Sequence, residues 1–202
     1  MDRQLIISIG REFGSGGHAI ADLIAGTYNL PMYDHNLLDN MAKEKGYDGR
    51  ELNKYDEQPD RLFGSRTVLG FSNSLERNVA EMQFEFIREK AGKGESFVVV
   101  GRCSEFILKD NPYAVKIFII GDMASKIERI KEIYGLSQSE AKDKIIKMDK
   151  VRKAYHDSYC EGKWGDSRFY DITLNSSRLG IEGSAEIIGK YIDEYIMRRK
   201  NG

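Results

Sequence analysis

The chain has 202 residues, enough for one sizeable domain that can bury roughly 70% of its unfolded surface without disulfides or a structural metal. Hydrophobic residues make up 41% and charged residues 31%, the balance of a soluble globular chain rather than a disordered one. A count of 31 Lys and Arg against 32 Asp and Glu leaves a formal charge of −1, which excludes a globally basic nucleic-acid binder.

Apolar runs of strand length alternate with segments of helical period. Leu5-Ile6-Ile7-Ser8-Ile9 reads as a buried strand, and residues 10–17 read as a glycine-rich turn. Ala19, Ile20, Leu23, Ile24 and Ala25 then trace a helical stripe that Gly26 and Asn29 bring to an end. Leu30-Pro31-Met32-Tyr33 is a short extended piece closing on Asp34. Residues 37–72 are polar and mixed, interrupted by Gly46, Gly49, Pro59, Gly64 and Gly70. From Ser74 a helix face carries Leu75, Val79, Met82, Phe86 and Ile87 toward Gly92. Phe97–Val100 is a continuous β-branched strand of the kind parallel sheets bury, and 115–120 is another. Ser137 with Glu140 three residues later forms a capping box, opening a helix with the stripe Ala141, Ile145, Met148, Val151 and Tyr155. Lys163-Trp164-Gly165-Asp166 predicts a turn, residues 170–174 a last strand and 181–199 a terminal helix.

Strand–helix alternation of this kind predicts a parallel α/β sheet covered on both faces. Ile6–Ile9, Val98–Val100, Ile117–Ile119 and Ile172–Leu174 are expected as its interior strands, with residues 37–72 and 131–168 as excursions from it. No apolar run approaches the ~20 residues of a membrane helix. Leu5–Ile9 is also too short for a signal-peptide core, which takes about 7–15 residues. Cys103 and Cys160 are the two cysteines. With no CxxC pair and too few nearby histidines they predict no zinc site and a reduced cytoplasmic setting, in which the sequon Asn175-Ser176-Ser177 means nothing for glycosylation.

The most informative stretch is Ile9-Gly10-Arg11-Glu12-Phe13-Gly14-Ser15-Gly16-Gly17-His18. Strand, glycine-rich loop and helix in that order build an anion cradle, because glycines let successive N–H groups converge and the helix start adds its dipole. A structural tight turn is the other reading of the same residues. The phosphate-loop pattern G-x-x-x-x-G-K-[ST] ends in a lysine and a hydroxyl. Here Gly17 and His18-Ala19 stand in those places.

Further segments recur in order in one family. They are Leu30-Pro31-Met32-Tyr33-Asp34, Val98-Val99-Val100-Gly101-Arg102, Lys116-Ile117-Phe118-Ile119, Asp149-x-x-Arg152, Tyr170 to Asn175, and Leu179-Gly180-Ile181-Glu182. Together with Gly14-Ser15-Gly16-Gly17-His18, the series resembles the cytidylate kinase-like family of small P-loop proteins from end to end, most weakly over 37–72. The resemblance implies an α/β fold of P-loop NTPase type: about five parallel strands with helices on both faces, a helical insertion and a lid. It places a core at 1–36, 93–130 and 169–202, an acceptor-binding insertion at 37–92 and a lid at 131–168, all within one domain of residues 1–202.

Residue by residue, the resemblance implies that Gly14, Ser15, Gly16, Gly17, His18 and Ala19 hold the donor phosphates of ATP. Arg102, Arg129, Arg152 and Asp34 fall on catalytic positions. Asp34, Arg102, Lys126, Asp149 and Arg152 fall on substrate-binding ones. Mg2+ is implied with no identifiable ligands; His35 beside Asp34 lacks a third ligand at helical spacing. Partners are a small-molecule nucleotide, with no nucleic acid and no membrane, and homo-oligomerisation stays open. Phosphoryl transfer is largely positioning and charge neutralisation, which suits this arginine set.

The departures are specific. Besides the missing lysine and hydroxyl, Cys103 stands for the family's Asp after Gly101-Arg102, and no Tyr-Arg pair follows Asp34. Substitute cations are Arg11, Arg102, Lys126, Arg129, Arg152 and Lys153, and Gly17→Lys is expected to tighten triphosphate binding. Two functions compete at this level. One is transfer of the γ-phosphoryl group of ATP to a nucleoside monophosphate or similar small acceptor; the other is an inactive nucleotide- or phosphate-binding sensor of the same fold. In the lid, Asp149 is expected to orient Arg152, with His156 solvated. Trp164 is expected to anchor its turn, and Cys103 to be a small packing residue, since no flanking His or Lys activates it.

Overall fold

Residues Ile6–Arg11 form β1, the middle strand of the main sheet, because five of its six residues are buried and both of its edges are hydrogen-bonded. The computed structural model describes residues 4–34, 36–45, 67–68, 71–72 and 75–201. Strand β1 runs through the glycine-rich loop into helix α1 (Gly17–Tyr28), which leads to the two-residue strand β2 (Met32–Tyr33). Helix α2 (Leu37–Lys45), a small antiparallel hairpin of β3 (Thr67–Val68) and β4 (Phe71–Ser72), and helix α3 (Leu75–Gly92) follow. The chain then returns through β5 (Phe97–Val100), the short helix α4 (Ser104–Ile107) and β6 (Ala114–Ile120). Helices α5 (Met123–Tyr134) and α6 (Gln138–Tyr159) lead to β7 (Ile172–Asn175) and the terminal helix α7 (Gly180–Asn201).

The main sheet has five parallel strands in the order β2-β5-β1-β6-β7. Alternation along its strands feeds two cores. Ile7, Ile9, Val98, Val100, Ile117 and Ile119 face one way, against Ile20 and Ile24 of α1 and Ile188 and Ile192 of α7. Ile6, Phe97 and Val99 face the other way, against Leu38 and Met41 of α2 and Val79, Phe86 and Ile87 of α3. Each fully buried Ile, Val or Phe contributes about 1.5–3 kcal/mol to this packing. The parallel α/β sheet with both faces covered is therefore as the sequence predicts.

One strand needs correction. Residues 172–174 lie in β7, at the sheet's edge and not in its interior, and Thr173 is exposed between the half-buried Ile172 and Leu174. Two-residue periodicity fits a one-sided edge strand as well as an interior one. The hairpin β3–β4 and the single-turn α4 leave no periodic trace and went unpredicted. The capping box at Ser137 is present, with Glu140 N–H on Ser137 Oγ and Ser137 N–H on Glu140 Oε2.

All five strands of the sheet point the same way, and the chain leaves β1 toward β2 on one side and reaches β6 on the other. In such sheets, ligands bind outside the carboxyl ends of the strands, where the order reverses. The glycine loop, Asp34, Arg102 and Gly121 all follow strand ends on this rim.

Candidate functional site

Gly14 and Gly16 both have φ near +80, a backbone that a side chain would strain, and Gly16 caps α1 in that conformation. Ser15 folds its hydroxyl onto Glu12 O (2.9 Å), and Ser15 O accepts from the buried Ser176 hydroxyl at 2.5 Å. The first bond of the helix runs from Ile20 N to Gly16 O (3.0 Å), so the amides between them form the helix's open positive end. Loop and helix together offer an anion its donors.

The rim around this loop is a cleft of about 610 Å³. Of the residues implicated by sequence, Gly14, Gly16, Gly17, His18, Ala19, Asp34, Arg102, Arg129 and Arg152 line it, and so does Arg11. Arg129 Nη1 donates to Gly14 O (2.6 Å), and its guanidinium lies so near Gly16 that a Cβ there would sit 3.1 Å from it. Arg152 Nη1 donates to Arg11 O (3.4 Å), and its guanidinium lies 5.4 Å from the centre of the Phe13 ring.

Arg102 is 2% exposed and follows Gly101 in a run of three positive φ values, at +77, +60 and +53 for Gly101, Arg102 and Cys103. A left-handed conformation at a non-glycine residue costs on the order of 1–3 kcal/mol, and the packing that holds it here directs Arg102 Nη2 onto Asp34 O (3.2 Å). The carboxylate of Asp34 is taken up by His18 Nε2 (2.7 Å) and the Asn36 amide (2.9 Å). His18 therefore links the start of α1 to the end of β2. His35 lies outside the described residues.

Three side chains that the resemblance places in the ligand site are engaged with protein groups instead. Ser15 is fully buried beneath the loop. Lys126 is also buried, and its ammonium bonds Asp149 Oδ2 (2.7 Å) and Glu12 Oε2 (3.1 Å). The other oxygen of Asp149 accepts from the Phe13 amide (2.6 Å), so Asp149 holds the phosphate loop instead of orienting Arg152. Lys153 turns outward to Asp157 at 2.5 Å. His156 is not solvated: it is 6% exposed and bonds Glu105 Oε1 (2.8 Å). Trp164 does anchor its turn, edge-on to Phe118 at 5.5 Å.

The structure also answers the missing lysine. A Cβ added to Gly17 would lie 2.6 Å from Arg11 Cβ. Arg11, at the end of β1, therefore fills the space a side chain at 17 would take, and the two positions exclude one another. Gly17→Lys cannot simply restore a cation, contrary to the expectation from sequence. The Asn175-Ser176-Ser177 run has a structural role that spacing alone did not reveal. Ser176 holds Ser15 O, while the Asn175 amide donates to Asp122 Oδ1 (2.9 Å) and Ser177 Oγ accepts from Asp122 N–H (2.8 Å).

This is the architecture of a nucleotide-binding phosphotransferase of the P-loop type. The chain belongs to the cytidylate kinase-like family, whose model matches residues 6–178. The cytidylate kinase of Methanococcus aeolicus is 28% identical over 191 residues, covering 93% of this chain and 97% of that protein. The cytidylate kinase of Pyrococcus horikoshii is 28% identical over 192 residues, covering 94% and 89%. Among solved structures, an uncharacterized protein from Eubacterium ventriosum matches with a TM-score of 0.75 at 42% identity, covering 94% of this chain and 99% of that one. Shikimate kinase from Bacteroides thetaiotaomicron shares the fold, with a TM-score of 0.53 at 14% identity over 94% and 98% of the two chains. Among the described residues no helix is long and apolar enough to cross a membrane.

Proposed function

We propose that the protein transfers the γ-phosphoryl group of ATP to a nucleoside monophosphate or a similarly small phosphorylated acceptor. The observation that carries this reading is the convergence of Arg11, Arg102, Arg129 and Arg152 on one cleft around a glycine cradle. Phosphoryl transfer needs the charge of three equatorial oxygens neutralised and the reactants held in line, and guanidinium groups do both. In this reading the backbone of Gly14 to Ala19 cradles the donor's phosphates. Arg11 takes the part of the absent loop lysine, and Arg129 and Arg152 close on the transferring group from α5 and α6. Arg102, fixed against Asp34 O, faces the acceptor's phosphate. Ile130, Ile133 and Tyr134 give the cleft an apolar wall suited to a base. Residues 37–92 serve as the acceptor-binding insertion and 131–168 as the lid.

The cradle and its arginines fit a triphosphate. For Mg2+ the fit is narrower, since no loop hydroxyl is offered, Glu12 is engaged by Lys126 and the Gly121 amide, and Asp34 is shared with His18. Asp34 is then the residue that would hold the ion, the remaining ligands being phosphate oxygens and water, as Mg2+ commonly accepts. The ion would supply charge neutralisation between the donor's phosphates. A passive binder has less need of four arginines from separate elements, and family and fold both favour the enzyme.

The test is incubation with γ-labelled ATP and each nucleoside monophosphate in turn, with separation of the labelled products. Arg11→Met keeps the packing on Gly17 and removes the charge. It should lower turnover by roughly 10²–10³-fold, as loss of one transition-state donor does elsewhere. Full activity in Arg11→Met would remove Arg11 from the mechanism, and no labelled product from any acceptor would reject the reading.

A further inference from the structure

Away from the nucleotide cleft, the fold assembles a second set of reactive groups that phosphoryl transfer does not use. Glu105 lies in α4, His156 in the last turn of α6, and Cys160 caps that helix. A carboxylate oxygen, a ring nitrogen and the sulfur of these three lie within 4.8 Å of one another. Glu105 Oε1 and His156 Nε2 are hydrogen-bonded at 2.8 Å. The other cysteine of the chain, Cys103, is buried in the same apolar cluster that Cys160 packs against. Cys103 is the small packed residue that the sequence predicts; what spacing did not reveal is that Glu105, 51 residues away, meets His156 one helical turn before Cys160.

Carboxylate, imidazole and thiol thus lie in one cluster, and the second thiol belongs to the apolar group against which Cys160 packs. Its thiol end is reachable: Cys160 is half-buried and, with His156 and Glu105, lines a cavity of about 390 Å³. Lys109 and Lys116 also line that cavity, with Glu161 as an opposing acid. The hydrogen bond from Cys103 pulls the Cys160 thiol down from 9.0 to about 7; burial opposes the shift and the bond with His156 adds to it. Burial alone would lower the His156 imidazole, but its bonds with Cys160 and Glu105 outweigh that and push it up from 6.5 to about 10. Both shifts favour a thiolate beside an imidazolium, the state in which a cysteine attacks. A metal ion is the competing use of the same groups. Tetrahedral zinc keeps its ligand atoms about 3.3 Å apart or more, whereas Oε1 and Nε2 here bond each other at 2.8 Å.

We propose that Cys160 is a thiol–disulfide exchange site for a small, anionic oxidised thiol entering this cavity, with Cys103 as the resolving cysteine. In the first step the Cys160 thiolate attacks one sulfur of the incoming disulfide. The incoming S–S bond breaks, a mixed disulfide forms on Cys160, and the departing thiolate takes the proton of the His156 imidazolium. In the second step neutral His156 accepts the Cys103 proton, and the Cys103 thiolate attacks the Cys160 sulfur. A Cys103–Cys160 bond forms, and the second small thiol leaves with that proton. Two protein thiols are oxidised and one disulfide is reduced to two thiols. The new bond ties the end of α6 to the segment that carries Arg102.

The experiment uses the reduced full-length chain and oxidised glutathione as probe, followed by intact-mass measurement and peptide mapping, with and without Zn2+. The wild-type chain should gain one glutathionyl group on Cys160 and then convert to a species two hydrogens lighter, with the two cysteine peptides linked. Cys103→Ser should stop at the adduct, and His156→Gln should slow its formation roughly fivefold, the larger thiolate fraction being partly offset by lower nucleophilicity. Should either variant fail to fold, the order of events on the wild-type chain still decides. A first adduct on Cys103, a wild-type rate no faster than that of the urea-unfolded chain, or one equivalent of Zn2+ blocking exchange would each overturn the proposal.

Discussion

Helix α6 is tied to the rest of the molecule in two places, and the ties differ in kind. At Asp149, beneath the glycine loop, an ammonium and two carboxylates do the work, with the Phe13 amide completing the set. At His156 and Cys160, at the helix end, the contacts are an imidazole, a carboxylate and two thiols. Neither Lys126 nor its carboxylate partners are open to thiol oxidation, whereas the Cys160 thiol is, and its ionisation is drawn down toward neutral pH. Arg152 lies between the two ties, three residues after one and four before the other, and reaches back to Arg11 O. The permanent tie thus sits where the phosphate cradle must keep its shape. The responsive one sits behind the arginines that line the cleft.

The largest expected effect falls on the permanent tie. Lys126→Met leaves Glu12 and Asp149 facing each other without their cation, and unpairing a buried charge costs about 3–5 kcal/mol. The urea midpoint should fall accordingly; an unchanged midpoint would mean that the triad is incidental. Next comes Gly17→Lys, which overpacks against Arg11 Cβ and should cost about 1–3 kcal/mol while weakening triphosphate binding. Arg11→Gly combined with Gly17→Lys removes the clash and should recover both. Failure of the double variant to improve on the single one would argue against mutual exclusion.

Between the ties, Arg152→Ala should lower turnover at least tenfold, about 1.4 kcal/mol or more, with a smaller change in nucleotide affinity. Equal turnover would reduce Arg152 to a stacking contact on Phe13. The smallest effect is one of pH at the responsive tie. His156 holds its proton more tightly when folded, so its contribution is complete below pH 6.5 and lost as pH rises toward 10. Cys160 releases its proton more readily when folded, so its contribution is complete above pH 9.0 and lost as pH falls toward 7. Between pH 7 and 9 the two cancel, and stability should be flat. A wild-type urea midpoint that shifts by the equivalent of more than about 1 kcal/mol across that window would contradict the pairing.

The sheet and the loop were legible in the sequence because both are local patterns: continuous β-branched runs, and glycines between a strand and a helical stripe. The arginines of the cleft were legible through the resemblance, since each follows a recognisable segment. What could not be read were pairings across elements. Lys126 at a matching position looks like a substrate cation until α6 brings Asp149 against it. His156 looks solvated on a charged helix until Glu105 arrives from α4. Arg11 stood among the substitute cations, but its contact with Gly17 depends on the curl of the loop. Residues 172–174 were placed in the interior because an edge strand facing one core shows the same alternation as a central one.

The most direct measurement is a crystal structure with a non-hydrolysable ATP analogue. The β- and γ-phosphates are expected over the backbone of Gly14 to His18, with the guanidinium groups of Arg11 and Arg129 on their oxygens. A triphosphate bound elsewhere, or bound at the loop with Arg11 turned away from it, would contradict the assignment of Arg11 to the place of the loop lysine.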